Sequence, residues 1–347
     1  MKHVDYIIVG NGIAGIAFCE QLRLHNRDFV VFDNQSQQSS GVAAGIYNPV
    51  VLKRFTNVWN AKSQLDLART KYAELEKLLG VKLDYSLPIY RKFTSVEEQN
   101  DWFTASDKPV LSDFLSTTLI KNNNVSIHAQ FGFGEVLHTG RIHTSQLIKS
   151  YQAYLQSQNR LYKEEFHHNQ LEVQENSFSY KTISSTYIVF AEGFGLKHNP
   201  FFNHLPLNGT KGEMLTIKAP DLKMNFILKS SVFIVPLGND LYWVGATYEW
   251  EDKTHVTTQK GKTELLEKLK KIINCDFEVV EQVAGIRPTT TDRRPLVGSH
   301  PKNTNMMVLN GLGTRGVMMS PFVAEQLYNH IETGQELDGE IDISRFN

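Results

Sequence analysis

The sequence predicts a mixed α/β (α+β) protein of two interleaved domains, one alternating strands with helices and one β-rich with an antiparallel sheet. Three observations predict it. Apolar runs that end in glycine, Val4 to Gly10 and Tyr187 to Gly193, read as buried parallel strands, and the first runs straight into a helix-periodic segment. GEMLTIK, SVFIVPL and LYWVGATY form a cluster of strand-like segments with no helix between them. The chain has 347 residues, room for two domains at about 150 residues each. Because the βαβ material falls at the start, middle and end, the first domain is expected to be discontinuous: residues 1–80, 138–198 and 284–347, with 81–137 and 199–283 forming the second.

The first element is the strand Val4 to Val9, ended by GNGIAG, which sets Gly10, Gly12 and Gly15 in the G-x-G-x-x-G spacing. Ile13, Ile16, Ala17 and Leu24 then recur at helical period, and DFVVFD at 28–33 is a second strand ending in Asp33. This is the Rossmann-like arrangement, and each part has its own task. Gly10 permits the tight turn, Gly12 and the Ile13-Ala14 start of the helix let backbone N–H groups approach a pyrophosphate, and Gly15 lets helix and strand pack closely. The helix N-terminus favours phosphate charge, and Asp33 stands where a carboxylate accepts hydrogen bonds from a ribose. The motif implies a dinucleotide and leaves NAD and FAD equally open.

Residues 39–49, SSGVAAGIYNP, are small and irregular, able to pass close to a flat ligand. Leu65, Ala68, Tyr72, Leu75 and Leu79 mark an amphipathic helix stopped by Gly80. A β-rich stretch around Leu87 to Tyr90 follows, then a helix from Ile142 to Gln158, the strand at 187–193, the strand cluster, and a helix from Glu264 to Ile273. GIRPTTTDRRPLVG at 285–298 precedes the strand NMMVLNG and a glycine-rich turn into a last helix.

Composition narrows the class. Apolar residues make up 41% and charged residues 21%, which excludes a disordered chain or a collagen-like repeat. With 36 Lys and Arg against 37 Asp and Glu, the net charge of −1 argues against a whole-surface nucleic-acid binder. Cys19 and Cys275 are too few for a disulfide framework or a four-thiolate metal site, so a reducing cytoplasm is expected. The cationic start and apolar run mimic a secretory signal, but Asp5 and Asn11 interrupt the run and export is not expected. No stretch reaches the roughly 20 apolar residues of a membrane span. The 12 His form no H-E-x-x-H pattern, and no metal is expected.

In family order, the fingerprint, VFIVPL with LYWVGAT, AGIRPTTTDRRPLVG and LNGLGTRGVMMSP resemble the D-amino-acid-oxidase superfamily of FAD-dependent amine oxidases over nearly the whole chain. Within it the chain is similar to glycine oxidases and to the oxidase domain of the bifunctional enzymes that complete methylaminomethyl-thiouridine in tRNA. The resemblance implies non-covalent FAD, bound through Gly10, Gly12, Ile13, Ala14, Gly15, Asp33 and Gly193. It implies an isoalloxazine lying under Ala44, Gly45, Ile46, Tyr47 and Asn48, with Gly311, Gly313, Thr314, Arg315, Gly316 and Val317 at its pyrimidine edge. It assigns Arg287 to the carboxylate of a small amine or amino-acid substrate, with Arg315 and Tyr47 beside it. The implied reaction is hydride transfer from the α-carbon to flavin N5, giving an imine, with oxygen or another acceptor reoxidising the flavin. Two alternatives stand beside it: oxidation of a carboxymethylaminomethyl group on modified tRNA, and a catalytically silent FAD-binding subunit. Glu192, Phe233 and Trp243 depart from the family pattern, where a small residue, a tyrosine and an oxygen-activating lysine are common.

Overall fold

The computed structural model describes residues 1–346. Strand β1 (Lys2–Val9) sits in the middle of the first sheet, parallel to β2 (Phe29–Phe32) on one edge and to the strand Ile183–Phe190 on the other. The far edge of Ile183–Phe190 is divided, its start pairing with Phe178–Tyr180 and its end with Met306–Asn310. Side chains alternate between two cores because a strand has period two. From Tyr6 onward, Tyr6 and Ile8 join the core formed with helix α1 (Ile13–Leu24) and helix Gly316–Thr333, while Ile7 and Val9 join Phe178, Tyr180 and Phe202 on the other face. Burial on both faces explains the apolar run Tyr6–Val9 at the end of β1.

The second sheet has eight strands in the order Glu278–Arg287, Thr210–Lys218, Leu241–Gly245, Phe233–Gly238, Ile227–Lys229, Ile89–Lys92, Phe133–Val136 and Leu115–Ile120. All neighbours are antiparallel except Ile227–Lys229 with Ile89–Lys92. The division expected at 283/284 cuts the strand Glu278–Arg287, whose ten residues all belong to this sheet. One face packs on helix Gln259–Lys270 through Leu215, Ile217, Ile234, Val244, Leu265 and Leu269. A three-stranded sheet of Asp84–Ser86, Gly140–Ile142 and Ile46–Tyr47 carries the chain between the two large sheets.

Three helices differ from expectation for local reasons. The helix expected over Glu264 to Ile273 begins at Gln259, because Thr258 Oγ1 accepts the Gly261 N–H at 3.0 Å and caps it. The helix expected from Ile142 starts after His143, whose ring nitrogen caps Gln146 N. In the stretch expected to be β-rich, Val96–Ser106 is helical, capped by Ser95 Oγ on Glu98 N at 3.1 Å. Among the described residues, no helix is long and apolar enough to cross a membrane.

Candidate active site

A cavity of about 1300 Å³ runs from the glycine turn after β1 to the open face of the second sheet. This exceeds the roughly 300–1,000 Å³ of an ordinary small-molecule pocket, as a dinucleotide with its substrate requires. At one end the glycines have distinct geometric duties. Gly10 has φ +103°, and a Cβ there would stand 2.5 Å from the Ala191 carbonyl oxygen. A Cβ on Gly15 would stand 2.0 Å from the Gly10 carbonyl oxygen, so α1 can seat on the turn only without a side chain. Gly15 therefore acts from behind the cavity wall, while Gly10, Gly12, Ile13 and Ala14 line it.

Two polar groups show what this end can hold. Asn11 is buried and lines the cavity, yet neither its side-chain nitrogen nor its oxygen has a hydrogen-bond partner. Burial raises the Asp33 carboxyl above its usual range, opposed by the backbone N–H groups of Asn11 and Gln35. A glycine turn leading into the helix start, an unpaired amide and a half-buried carboxylate fit the pyrophosphate and ribose of FAD. Glu192 also lines the cavity, but its carboxylate is engaged by His168 Nε2 at 2.9 Å and Asn199 Nδ2 at 2.7 Å.

At the middle, Asn310 Nδ2 donates to Gly193 O and Asn310 Oδ1 accepts Gly311 N–H, fixing the turn that leads into helix Gly316–Thr333. Gly311, Gly313, Thr314, Arg315, Gly316 and Val317 all line the cavity. No side chain caps that helix, which leaves its first N–H groups and its positive dipole end available. Arg315 Nη1 donates to Asn48 O at 3.0 Å and ties this turn to the loop with Ala44, Gly45 and Ile46.

At the far end, the Arg287 guanidinium lies across Gly212, where a Cβ would stand 2.0 Å from Nη2. Both terminal nitrogens donate to Thr247 O at 3.4 Å, and the Tyr248 ring centroid is 4.7 Å away. Burial lowers the pKa of Arg287 and of Arg315, and neither has an acidic partner among the described residues. A buried guanidinium without a carboxylate is costly, and its planar fork suits a ligand's carboxylate. Met214, Phe233 and Trp243 form the apolar wall beside it.

Tyr47 requires a correction. Its hydroxyl donates to Asp84 Oδ1 at 2.8 Å, its side chain is buried, and it is absent from the cavity lining. Alternation along Ile46–Tyr47 is the reason: Ile46 and Asn48 line the cavity and Tyr47 turns into the core. Sequence reasoning missed Gly212, Gly285 and Lys229. Gly285 admits the 39–42 turn, since a Cβ would meet Val42 Cγ2 at 2.8 Å. Tyr248, just beyond the motif LYWVGAT, flanks Arg287. No three or more His, Cys, Asp or Glu among the described residues are grouped to hold a metal.

Known proteins bear on this arrangement. Glycine oxidase of Bacillus subtilis (strain 168) is 23% identical, over 92% of this chain and 90% of its own length. The tRNA 5-methylaminomethyl-2-thiouridine biosynthesis bifunctional protein MnmC of Campylobacter jejuni is 22% identical over 86% of this chain, which spans 46% of that protein. Glycine oxidase from Geobacillus kaustophilus has the same fold, with a TM-score of 0.81 at 20% identity, covering 100% of this chain and 98% of that one. The family described as DAO, FAD dependent oxidoreductase, matches residues 5–329. A match that omits only the two ends of the sequence leaves no part of the cavity outside it, and the chain belongs to the DAO family of FAD-dependent oxidoreductases.

Proposed function

We propose that this protein oxidises the C–N bond of a small amino acid or secondary amine to an imine, with non-covalent FAD. The carrying observation is Arg287, buried without an acid on the cavity wall, where a substrate carboxylate would complete its pairing. FAD, when bound, accepts the hydride at N5 and supplies the redox chemistry.

The protein's own residues supply position and field. Arg287 fixes one end of the substrate, and the rings of Phe233 and Trp243 confine the carbon chain and exclude water. Phe233 has no hydroxyl to assist the carboxylate, so the guanidinium carries that task. The uncapped start of helix Gly316–Thr333 directs N–H groups to where negative charge develops on reduction. Arg315, anchored on Asn48 O, holds that turn against the 44–48 loop.

Anaerobic bleaching of the flavin, screened against D-amino acids, N-alkyl glycines and cyclic imino acids, tests the reading. At least one amine is expected to bleach it, and Arg287→Ala to raise the concentration required by about 10- to 100-fold, the worth of a charged hydrogen-bonded pair. Bleaching by no amine would refute the reaction, and an unchanged Arg287→Ala response would refute the role of Arg287. Denaturation in acid should leave all flavin in the supernatant.

A further inference from the structure

Lys229 is the one cation of the second sheet that faces the cavity without a task in the reading above. Register puts it beside Phe233, and Phe233 beside Gly245. Its ammonium rests 4.5 Å from the Phe233 ring centroid. The charges acting on it belong to Arg91 and Lys268, both repulsive, and each of these already has its carboxylate, Glu98 and Glu264. Among the described residues, Lys229 has neither an acidic nor a hydrogen-bonding partner. Burial and these two neighbours bring its pKa down to about 8. A largely buried cation left unpaired by its own chain destabilises the fold, and its position on the wall opens it to an anion in the cavity.

Arg287 approaches the same face from the other side of the sheet. Its guanidinium passes over Gly212 to Thr247 O, two residues beyond Gly245. With strands about 4.8 Å apart and a rise of about 3.4 Å per residue, the two strand spacings from Lys229 to Gly245 and the two residues on to Thr247 set the anchor points about 12 Å apart, a gap that the Lys229 side chain narrows by leaning over Phe233. The surface between them is apolar: the Phe233 ring, then the Trp243 ring folded over Gly245, where a Cβ would stand 2.6 Å from it.

We propose that Lys229 binds a second anionic group of the substrate, so that the preferred substrate is an amine with two carboxylates, one on Arg287 and one on Lys229. The carbon chain between them crosses Phe233 and Trp243. An ammonium is a compact single charge, matched to one carboxylate oxygen, whereas the fork of Arg287 suits both oxygens of the other. This rests on the amine reading for the reaction but not for the binding site itself.

Binding of non-oxidisable acids to the holoenzyme separates the two. Thiodiacetate and glutarate carry two carboxylates, methylthioacetate and butyrate one, and each can be titrated by its shift of the flavin absorption bands. The diacids are expected to bind at least tenfold more tightly than their partners. Lys229→Met should collapse that ratio to near one and Lys229→Arg should keep most of it, with flavin content reporting that both variants fold. Equal binding of diacids and monoacids, no shift with either, or a ratio that survives Lys229→Met would overturn the proposal. A preserved diacid preference with no amine able to bleach the flavin would instead refute the amine reaction and leave the second anion site standing.

Discussion

Substituting Gly212 by Ala tests the placement of Arg287 without removing it. A Cβ at Gly212 would lie 2.0 Å from Arg287 Nη2, 2.4 Å from Cζ and 2.5 Å from Nη1, so the guanidinium must retreat by more than 1 Å to reach van der Waals contact. The obstacle is the far end of a flexible side chain, and alanine is at least as good a strand residue as glycine, so the strand Thr210–Lys218 should hold. The 3.4 Å hydrogen bonds to Thr247 O are lost, and the fork leaves its position over the cavity. A charged bidentate contact is worth about 1.5–3 kcal/mol, or about 10- to 150-fold in affinity. The assay is a titration of the holoenzyme with a carboxylate ligand, read on the flavin spectrum, for Gly212→Ala, Arg287→Ala and the double variant. Each single variant should weaken binding by that factor, flavin content should stay at the parent level, and the double variant should be no worse than Arg287→Ala, because both act on one contact. Full affinity in Gly212→Ala, or additive losses in the double variant, would refute the reasoning.

Other sites give equally direct tests. Gly15→Ala places a Cβ 2.0 Å from a backbone oxygen that cannot turn aside, so α1 must lift from the phosphate turn; the purified protein should lack flavin, and a normal ratio of visible to ultraviolet absorbance would contradict this. Lys211 is fully buried and binds Asp252, Thr254 Oγ1 and the Val256 carbonyl, pinning the segment after Tyr248 and Trp250; Lys211→Met should free that segment, read as new cleavage between 249 and 258 under limited proteolysis. Lys229→Met should stabilise the protein. The folded pKa of about 8 lies below the unfolded value of 10.5, so charged Lys229 costs up to about 3 kcal/mol below pH 8, and the cost fades as pH rises from 8 to 10.5. Urea unfolding should therefore show a gain at pH 7 that disappears near pH 10, and an equal gain at both would exclude titration of Lys229 as its source.

What could be read in advance depends on how far apart in the chain a feature's causes lie. The phosphate turn was legible because strand, glycines, helix and Asp33 all fall within 33 residues and each acts on its neighbours. The helix Val96–Ser106 was equally local and was overlooked although Ser95 and Glu98 have capping-box spacing. Tyr47 was misplaced because an irregular loop predicts proximity but not which side chains turn inward; two paired residues, Ile46–Tyr47, suffice to impose alternation. Arg287 was visible through its motif, but Gly212 was not, since its meaning depends on the pairing of Thr210 with Arg287 across 77 residues. Nothing in its neighbouring sequence marks Lys229; it is the sheet pairing that sets it on the Phe233 ring.

The net charge of −1 gains meaning once the cavity's charges are placed. The phosphate end uses backbone N–H groups, and the carboxylates Asp33 and Glu192 line it. Among the cavity-lining cations without acidic partners, Arg287, Arg315 and Lys229 belong to the other half. A monoacid on Arg287 relieves Lys229 only at a distance. A diacid places a negative charge against each cation and leaves the site balanced, and the apolar rings between them add area without adding charge. Preference for the diacid thus arises from the second contact, which a monoacid held on Arg287 cannot make. Being partly shielded from water, it should fall with added salt much less than binding at an exposed patch would.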